Sequence, residues 1–428
     1  MQFLVEFCKS HWKAIATAFT IGKFLWESYI NNRQLKKIQI TQIGLRQNNF
    51  DLLSNDKFKQ SLFGLENLVK LTINKLGFDL IENLLIIHFD VYSILLELSK
   101  KINESLSFIL PSNSYFQTII FSIISNILIF CWGVPIQFYG KFIVSDFNQN
   151  ESPLEWFMIQ INLLVFKIFG DSIKIFGSSI LINLVKNFPI LQISIGFLIY
   201  SILRISLSPL FISVISGPNF LKHVPQSDLK DEILKLCSKI GYDCNSIYIA
   251  DSAISSMGFN YLPNMVTINE GSIKSFTTKE LTSIILQCIL QIKLNLHLEK
   301  QFINSIILYL ELFFFEKILY KDNNVLKQFG FEVNEESNLI FIKYLIFNKI
   351  FIPFDIIIPM IKNYLIRRKI HQVDQSTYEL YQHEFVTAMN KMNGNNPLKN
   401  FENDSIYGLY YSGFPNLNRR IEFLKENH

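Results

Sequence analysis

The chain has 428 residues, 49% of them hydrophobic and only 18% charged, with a mean hydropathy of +0.24; a soluble protein of this length carries more charge. A net charge of +4, with no single basic block, argues against nucleic acid as a partner. Five scattered cysteines with no C-x-x-C pair indicate neither a disulfide framework nor a structural zinc site. Forty Phe, with abundant Asn, Lys, Ile and Leu, suggest compositional bias, so a membrane reading must rest on long apolar segments rather than on the average.

In chain order, the opening "MQFLVEFCKSHWK" lacks a basic start and a small-residue cleavage site, so no cleavable signal peptide is expected and the first membrane helix serves as the signal. A membrane span needs roughly 20 mostly apolar residues. Seven segments qualify: 10–30, 76–98, 115–134, 158–185, 190–215, 300–320 and 338–361. The first carries Lys13, Lys23 and Glu27 and is the weakest by hydropathy. Charges in spans are costly in lipid, so Lys167, Asp171, Arg204, Glu311 and Asp355 are expected to face protein or a water-filled cavity. Arg33, Lys36, Lys37 and Arg46 follow span one, and Lys362, Arg367, Arg368 and Lys369 follow span seven. With seven spans these groups fall on one side, which the positive-inside rule makes the cytosol. The N-terminus is then lumenal and the C-terminus cytosolic. Of the sequons at Asn103 and Asn150, only Asn103 would be lumenal.

The expected organisation is a five-span region at 1–215, an extramembrane segment at 216–300, two spans at 300–361 and a C-terminal segment at 362–428. Within 216–300, "SDLKDEILKLCSKIG" reads as a helix, and "SIYIAD" and "NMVTIN" read as strands. Thr277-x-x-Glu280 forms a capping box, and Phe276 and Leu281 are placed as a hydrophobic staple. Residues 362–428 read as helical, with a loop at "NGNNPLKN".

The helix that follows the capping box, with "IILQCILQIKLNLH" at 284–297, has the apolar spacing of a zinc-protease helix. In such a helix, H-E-x-x-H sets two imidazoles at i and i+4 on one face, with the Glu as general base. Here Gln287 and Gln291 occupy that face and Cys288 stands at the base position. A neutral amide is a poor zinc ligand, and one thiol cannot hold the metal, activate its water and relay the proton. Taken by itself, the segment reads as a buried amphipathic helix whose two Gln bond to neighbours. The seven histidines include no pair four apart, and "HEFVT" at 383–387 ends in Thr387. A rebuilt site would need His297, His371 and His383 to converge.

Several stretches resemble the CAAX prenyl protease 1 type family of integral-membrane zinc metalloproteases, and together they cover nearly the whole chain. "FLWESYINNRQLKK" (24–37) is similar to that family's first span and the basic segment after it, and "WGVPIQFYGKFIVSDFNQN" (132–150) to its Gly-x-Pro loop. "ISGPNFLKHVPQSDLKDEILKLCSKIGYDCNSIYIAD" is similar to the start of its soluble domain. "RRKIHQVD" (367–374) resembles R-R-F-E-F-Q-A-D, and "YYSGFPNLNRRIEFLK" (410–425) resembles H-Y-S-H-P-P-L-L-E-R-L. On this resemblance the family's zinc histidines fall on Gln287 and Gln291, its catalytic Glu on Cys288, its third ligand on Ile370, and the His of its Y-S-H-P-P on Gly413. The family's groove strand S-S-H-S-N-A-Y appears as "SSMGFNY", with Met257 and Phe259 replacing His and Asn. Gln372, Asp374, Arg419, Tyr411, Ser412 and Pro415 remain as scaffold. Asp374, which in the family steadies a zinc-bound histidine, is left to accept a hydrogen bond from Gln287 or Gln291.

The resemblance implies a mostly α, polytopic membrane protein: seven transmembrane helices forming a hollow barrel, with a small α/β metalloprotease-like domain built from 216–300 and 362–428. It implies the membrane of the endoplasmic reticulum, or the inner nuclear membrane. With every ligand and the base replaced, no catalytic residue and no zinc or other cofactor is expected. The chain then reads as a membrane pseudoprotease that touches membrane lipid and binds lipidated or unfolded chains, such as prenylated or translocating polypeptide, or an active relative. Two alternatives stay open: an active CAAX-type endopeptidase with a rebuilt metal site or with Cys288 as nucleophile, and a structural or quality-control partner of the translocon.

Overall fold

The structure, a computed structural model, describes residues 11–47, 56–106, 114–144, 152–187, 192, 195–200, 202–203, 221–250, 259–262, 265–317, 324–331, 339–393, 398 and 401–426. The chain divides into two units, one made of residues 1–193 with 309–357 and the other of 194–308 with 358–428.

The first unit is helical wherever it is described. Helix α1 (Trp12–Gln47) packs along α2 (Asp56–His88), α3 (Val91–Ser105) lies on α4 (Ser114–Tyr139), and α4 lies on α5 (Pro153–Asn187). Among the described residues, Phe116–Val144 and Pro153–Ser172 are long and apolar enough to cross a membrane. A third span results if the bent pair Thr278–Lys293 and Leu298–Phe315 counts as one. Helix α1 contains the expected first span but keeps Lys13, Lys23 and Glu27 within it. Most of the expected fifth span, 190–215, lies outside the described residues.

The segment 76–98, expected as one span, is two helices. Helix α2 stops at His88, and Asp90 takes a left-handed conformation (φ 52°) at the break. Asp tolerates that region better than most residues, and Lys13 holds its carboxylate at 2.8 Å. The Gly133-x-Pro135 stretch, a loop in the resemblance, is helical here: Pro135 lies inside α4, and a π-helical turn at Gly140–Val144 follows. The charges expected to be sheltered differ among themselves. Asp171 accepts from Asn126 Nδ2 at 3.1 Å and Asp355 meets Lys23 at 3.4 Å, whereas Lys167 is exposed. Arg204 lies outside the described residues, as does Asn150. Asn103 is 7% exposed within α3, so its sequon is a poor reporter of sidedness.

The second unit is built on a four-stranded sheet in the order β1-β2-β4-β3, with β1 at Leu221–His223, β2 at Ile247–Ala250, β3 at Phe259–Leu262 and β4 at Met265–Asn269. β2 and β4 run parallel in the centre, with Ile247 opposite Val266, and antiparallel β1 and β3 form the edges. Helix α6 (Asp228–Ile240) buries Leu229, Ile233, Leu236 and Cys237, the i, i+4, i+7, i+8 stripe of an amphipathic helix. Short α7 (Glu270–Ser275) leads into α8 (Thr278–Lys293). One core joins these elements through Ile233, Ile249, Val266, Ile268, Ile284, Ile285 and Ile289. Each such side chain fully removed from water contributes about 1.5–3 kcal/mol. The apolarity of α8 is therefore spent on protein packing within this unit.

Helix α9 (Leu296–Phe315) follows α8. Short α10 (Asn324–Gln328) and α11 (Leu339–Ile350) belong to the first unit. Helix α12 (Ile352–Leu380) runs without a break through the expected boundary at 361/362. Helices α13 (Gln382–Asn393), α14 (Ser405–Tyr411) and α15 (Leu417–Glu426) complete the chain.

Candidate functional site

The start of α8 follows the local rules read from the sequence. The Thr277 hydroxyl accepts from the Glu280 N–H at 3.4 Å and the Glu280 carboxylate accepts from the Thr277 N–H at 2.8 Å, which closes the capping box. Phe276 and Leu281 are both buried in the core that surrounds the helix. Glu280, 5% exposed, also receives Lys391 Nζ of α13 at 2.7 Å. Burial alone would raise its pKa, but the bonds from Lys391 and Thr277 outweigh it and hold the carboxyl below its ordinary value.

Two turns further on lie Gln287, Cys288 and Gln291, respectively 7%, 4% and 5% exposed. Gln287 Nε2 donates to Asp374 Oδ1 at 2.8 Å. Asp374 has no exposed surface and sits on α12 one turn after Ile370, which has none either. Arg420 of α15 completes the group: its Nε donates to Asp374 Oδ2 at 2.7 Å and its Nη2 to Oδ1 at 2.8 Å. A two-pronged guanidinium–carboxylate contact of this length is charge-assisted and geometrically specific. The Gln291 carbonyl oxygen is buried with no hydrogen-bond partner among the described residues.

The arginine that reaches Asp374 is not the one the resemblance retained. Arg419 turns the other way and pairs with Glu402 at 2.5 Å, both partners half-exposed. Helix α15 buries Ile421 and Leu424, with Leu417 partly buried on the same core as Phe385 and Met389. Residue 420 is three positions after Leu417 and four before Leu424, which puts it on the inward face. That spacing is legible in "LNRRIEFL", and it separates the two arginines.

The other expected positions are dispersed. At Gly413 a Cβ would sit 3.2 Å from Asn363 Oδ1 and 3.6 Å from Ile366 Cδ1, so a histidine there would displace neighbours. Asn363 is itself committed, with its Nδ2 donating to the carbonyls of Leu409 at 2.8 Å and Tyr410 at 3.1 Å. Arg367 donates to the Ser412 carbonyl at 3.1 and 3.2 Å, while the Ser412 hydroxyl donates to the Phe414 carbonyl at 2.9 Å. Tyr411 stacks at a tilt on Tyr407, 4.7 Å between ring centres, and Gln372 is exposed. Met257 lies outside the described residues, and Phe259 is in β3 opposite Ile268.

The alternative ligands do not come together among the described residues. His371 packs on Phe423 at 4.4 Å, its Nδ1 without a partner, and burial lowers its pKa. His383 lies beside Thr387 of its own helix, and the side chain of His297 lies outside the described residues. Among the described residues no group of three His, Cys, Asp or Glu could hold a metal. Burial pushes the Cys288 thiol up to about 12, the opposite of an activated nucleophile.

A zinc ion does not fit the donor set. Gln287 turns its amide nitrogen, not its oxygen, toward Asp374. Ile370 supplies no donor, and the Arg420 guanidinium already neutralises the one carboxylate. A dication beside that guanidinium would meet like charge at close range.

Residues 34–214 match the family model described as "CAAX prenyl protease N-terminal, five membrane helices". The chain is 22% identical to CAAX prenyl protease 1 of Saccharomyces cerevisiae over 96% of its own length and 95% of the relative's. It is 24% identical to the probable CAAX prenyl protease 1 of Schizosaccharomyces pombe, over 96% of this chain and 88% of that one. The crystal structure of S. mikatae Ste24p superposes with a TM-score of 0.72 at 21% identity, covering 96% of this chain and 99% of the other.

Proposed function

From the premise that this membrane-embedded chain belongs to the CAAX prenyl protease 1 family, we propose that it is a pseudoprotease: a protein that keeps the family scaffold and binds the family's kind of cargo without cutting it. The observation that carries this reading is the Gln287–Asp374–Arg420 network, a set of hydrogen bonds and a guanidinium around Gln287, a position that the resemblance assigns to a zinc ligand. Without a metal there is no low-pKa water and no Lewis acid for a peptide carbonyl. No side chain within the described site takes over that work: Cys288 is buried with its thiol protonated, and Gln287, Asp374 and Arg420 are tied to one another.

The scaffold proposed is seven spans around a hollow chamber, in the membrane of the endoplasmic reticulum or the inner nuclear membrane, with the N-terminus lumenal and the C-terminus cytosolic. Its cargo is a prenylated or translocating polypeptide, with membrane lipid around it. Loss of the groove's His and Asn to Met257 and Phe259 leaves side chains better suited to lipid than to peptide backbone. The test pairs two assays on the detergent-purified chain. A farnesyl peptide carrying a photo-crosslinker should label the protein, and the same peptide should stay intact with zinc supplied. Cleavage sensitive to chelator overturns the catalytic half of the proposal; absence of labelling overturns the binding half.

A further inference from the structure

Cations from α9 and α12 collect where the apolar stretches of both helices end. Lys300 opens the sixth segment expected to span and Lys362 follows the seventh, so both stand at the same edge. Lys362 Nζ donates to Asn304 Oδ1 at 2.9 Å, and Asn304 lies one turn after Lys300 on the same face of α9. Lys300 Nζ stands 5.5 Å from the centre of the Phe414 ring, in the turn after α14. Arg367 holds that turn from α12: its Nε and Nη2 donate to the Ser412 carbonyl at 3.2 and 3.1 Å, and the Ser412 hydroxyl accepts from the Phe414 N–H at 3.2 Å. Residues 356–373 carry no Asp or Glu, and Glu299 of α9 is engaged by Lys369 at 3.5 Å. Among the described residues no carboxylate pairs with Lys300, Lys362 or Arg367. Lys362 and Arg367 each give to one neutral oxygen, Lys300 to none, and N–H donors are left over on all three. Like charges gathered without a counter-charge repel, and a bound anion relieves that repulsion.

We propose that Lys300, Lys362 and Arg367 form a headgroup site for an anionic phospholipid. Its phosphate accepts from the leftover donors, and its acyl chains lie along exposed apolar side chains beside them. Ile361, Tyr364 and Arg368, at i, i+3 and i+7, make an exposed stripe on α12 that passes from apolar to aromatic to cationic. That is the order of a helix leaving hydrocarbon for headgroups. Phe302 adds a second exposed apolar group, two residues after Lys300. A soluble anion would satisfy the cations but leave this apolar surface bare, whereas a phospholipid covers both. Basic clusters at the end of a span draw anionic lipid in this way. The site stands apart from the metal question, because it holds whether or not the chain cuts peptide.

Native mass spectrometry of the full chain in detergent, titrated with phosphatidylglycerol or with phosphatidylcholine of matched acyl chains, reads the site directly. Phosphatidylglycerol should bind more tightly. Lys300→Gln combined with Lys362→Gln should weaken its binding about 30-fold, and Lys300→Gln alone about fivefold, as expected for cations beside a membrane surface. Phosphatidylcholine binding should not move. Lys239→Gln combined with Lys274→Gln, which removes the same charge from two exposed positions elsewhere, should leave both lipids unaffected. Equal binding of the two lipids overturns the proposal, and so does phosphatidylglycerol binding that survives the Lys300/Lys362 substitutions intact. In the first case, a farnesyl peptide that binds as its free carboxylate but not as its methyl ester, and is lost in the same variant, would assign the cations to the cargo's C-terminus instead.

Discussion

Two buried carboxylates in the second unit show how differently a sequence can announce its partners. Glu280 opens α8 and is satisfied by Thr277, three residues away, and by Lys391. Asp374 is satisfied by Gln287, 87 residues away, and by Arg420, 46 away. Local spacing dictates the Thr277 half of the first arrangement, to which the fold adds Lys391, and only the tertiary fold dictates the second. Removing either partner tests different physics: Glu280 keeps its backbone and hydroxyl donors and lies near solvent, whereas Asp374 has no exposed surface.

Arg420→Ala should therefore do the most damage. It leaves a fully buried carboxylate with one amide donor, a loss of about 3–5 kcal/mol, measurable by denaturant unfolding of the purified chain. Adding Asp374→Asn should recover a good part of that loss, because the uncompensated charge is gone; an Arg420→Ala variant as stable as the parent would break the contrast. Lys391→Ala should cost about 1 kcal/mol, since Lys391 is 41% exposed and the capping box survives without it.

The pH dependence should be smaller still and has a fixed sign. Glu280 titrates lower in the fold than in the unfolded chain, so its contribution is complete above the ordinary carboxylate range. That contribution is lost as pH falls through the folded value. His371 is also shifted down, by burial, so stability associated with it is present above about 6.5 and declines as the unfolded chain begins to bind the proton first. Thermal midpoints should fall on acidification below neutrality, and His371→Gln should flatten the upper part of that slope while leaving the lower part.

The residues that were legible in sequence share one property: their partners are close along the chain. The capping box, the staple, α6, β2 and β4 all follow from spacings of one to eight residues. The Gln287–Asp374 bond was legible only through the resemblance, which placed the two segments opposite one another. The resemblance of motifs carries no helical phase and so does not single out Arg420, although the flanking Leu417, Ile421 and Leu424 do carry that phase. Edge strand β1 is three residues long, too short for a period of two to register. The break at Asp90 had no Gly or Pro to mark it, since a lysine from another helix holds it.

The central claim is that the Gln287–Asp374–Arg420 network stands in the metal's place. The measurement that tests it most directly is the zinc content of the folded, monodisperse protein by elemental mass spectrometry after dialysis against a mild chelator. The account predicts background zinc, with the unfolding midpoint unmoved when zinc is added. Near-stoichiometric zinc that survives dialysis and is lost on Asp374→Asn would contradict it.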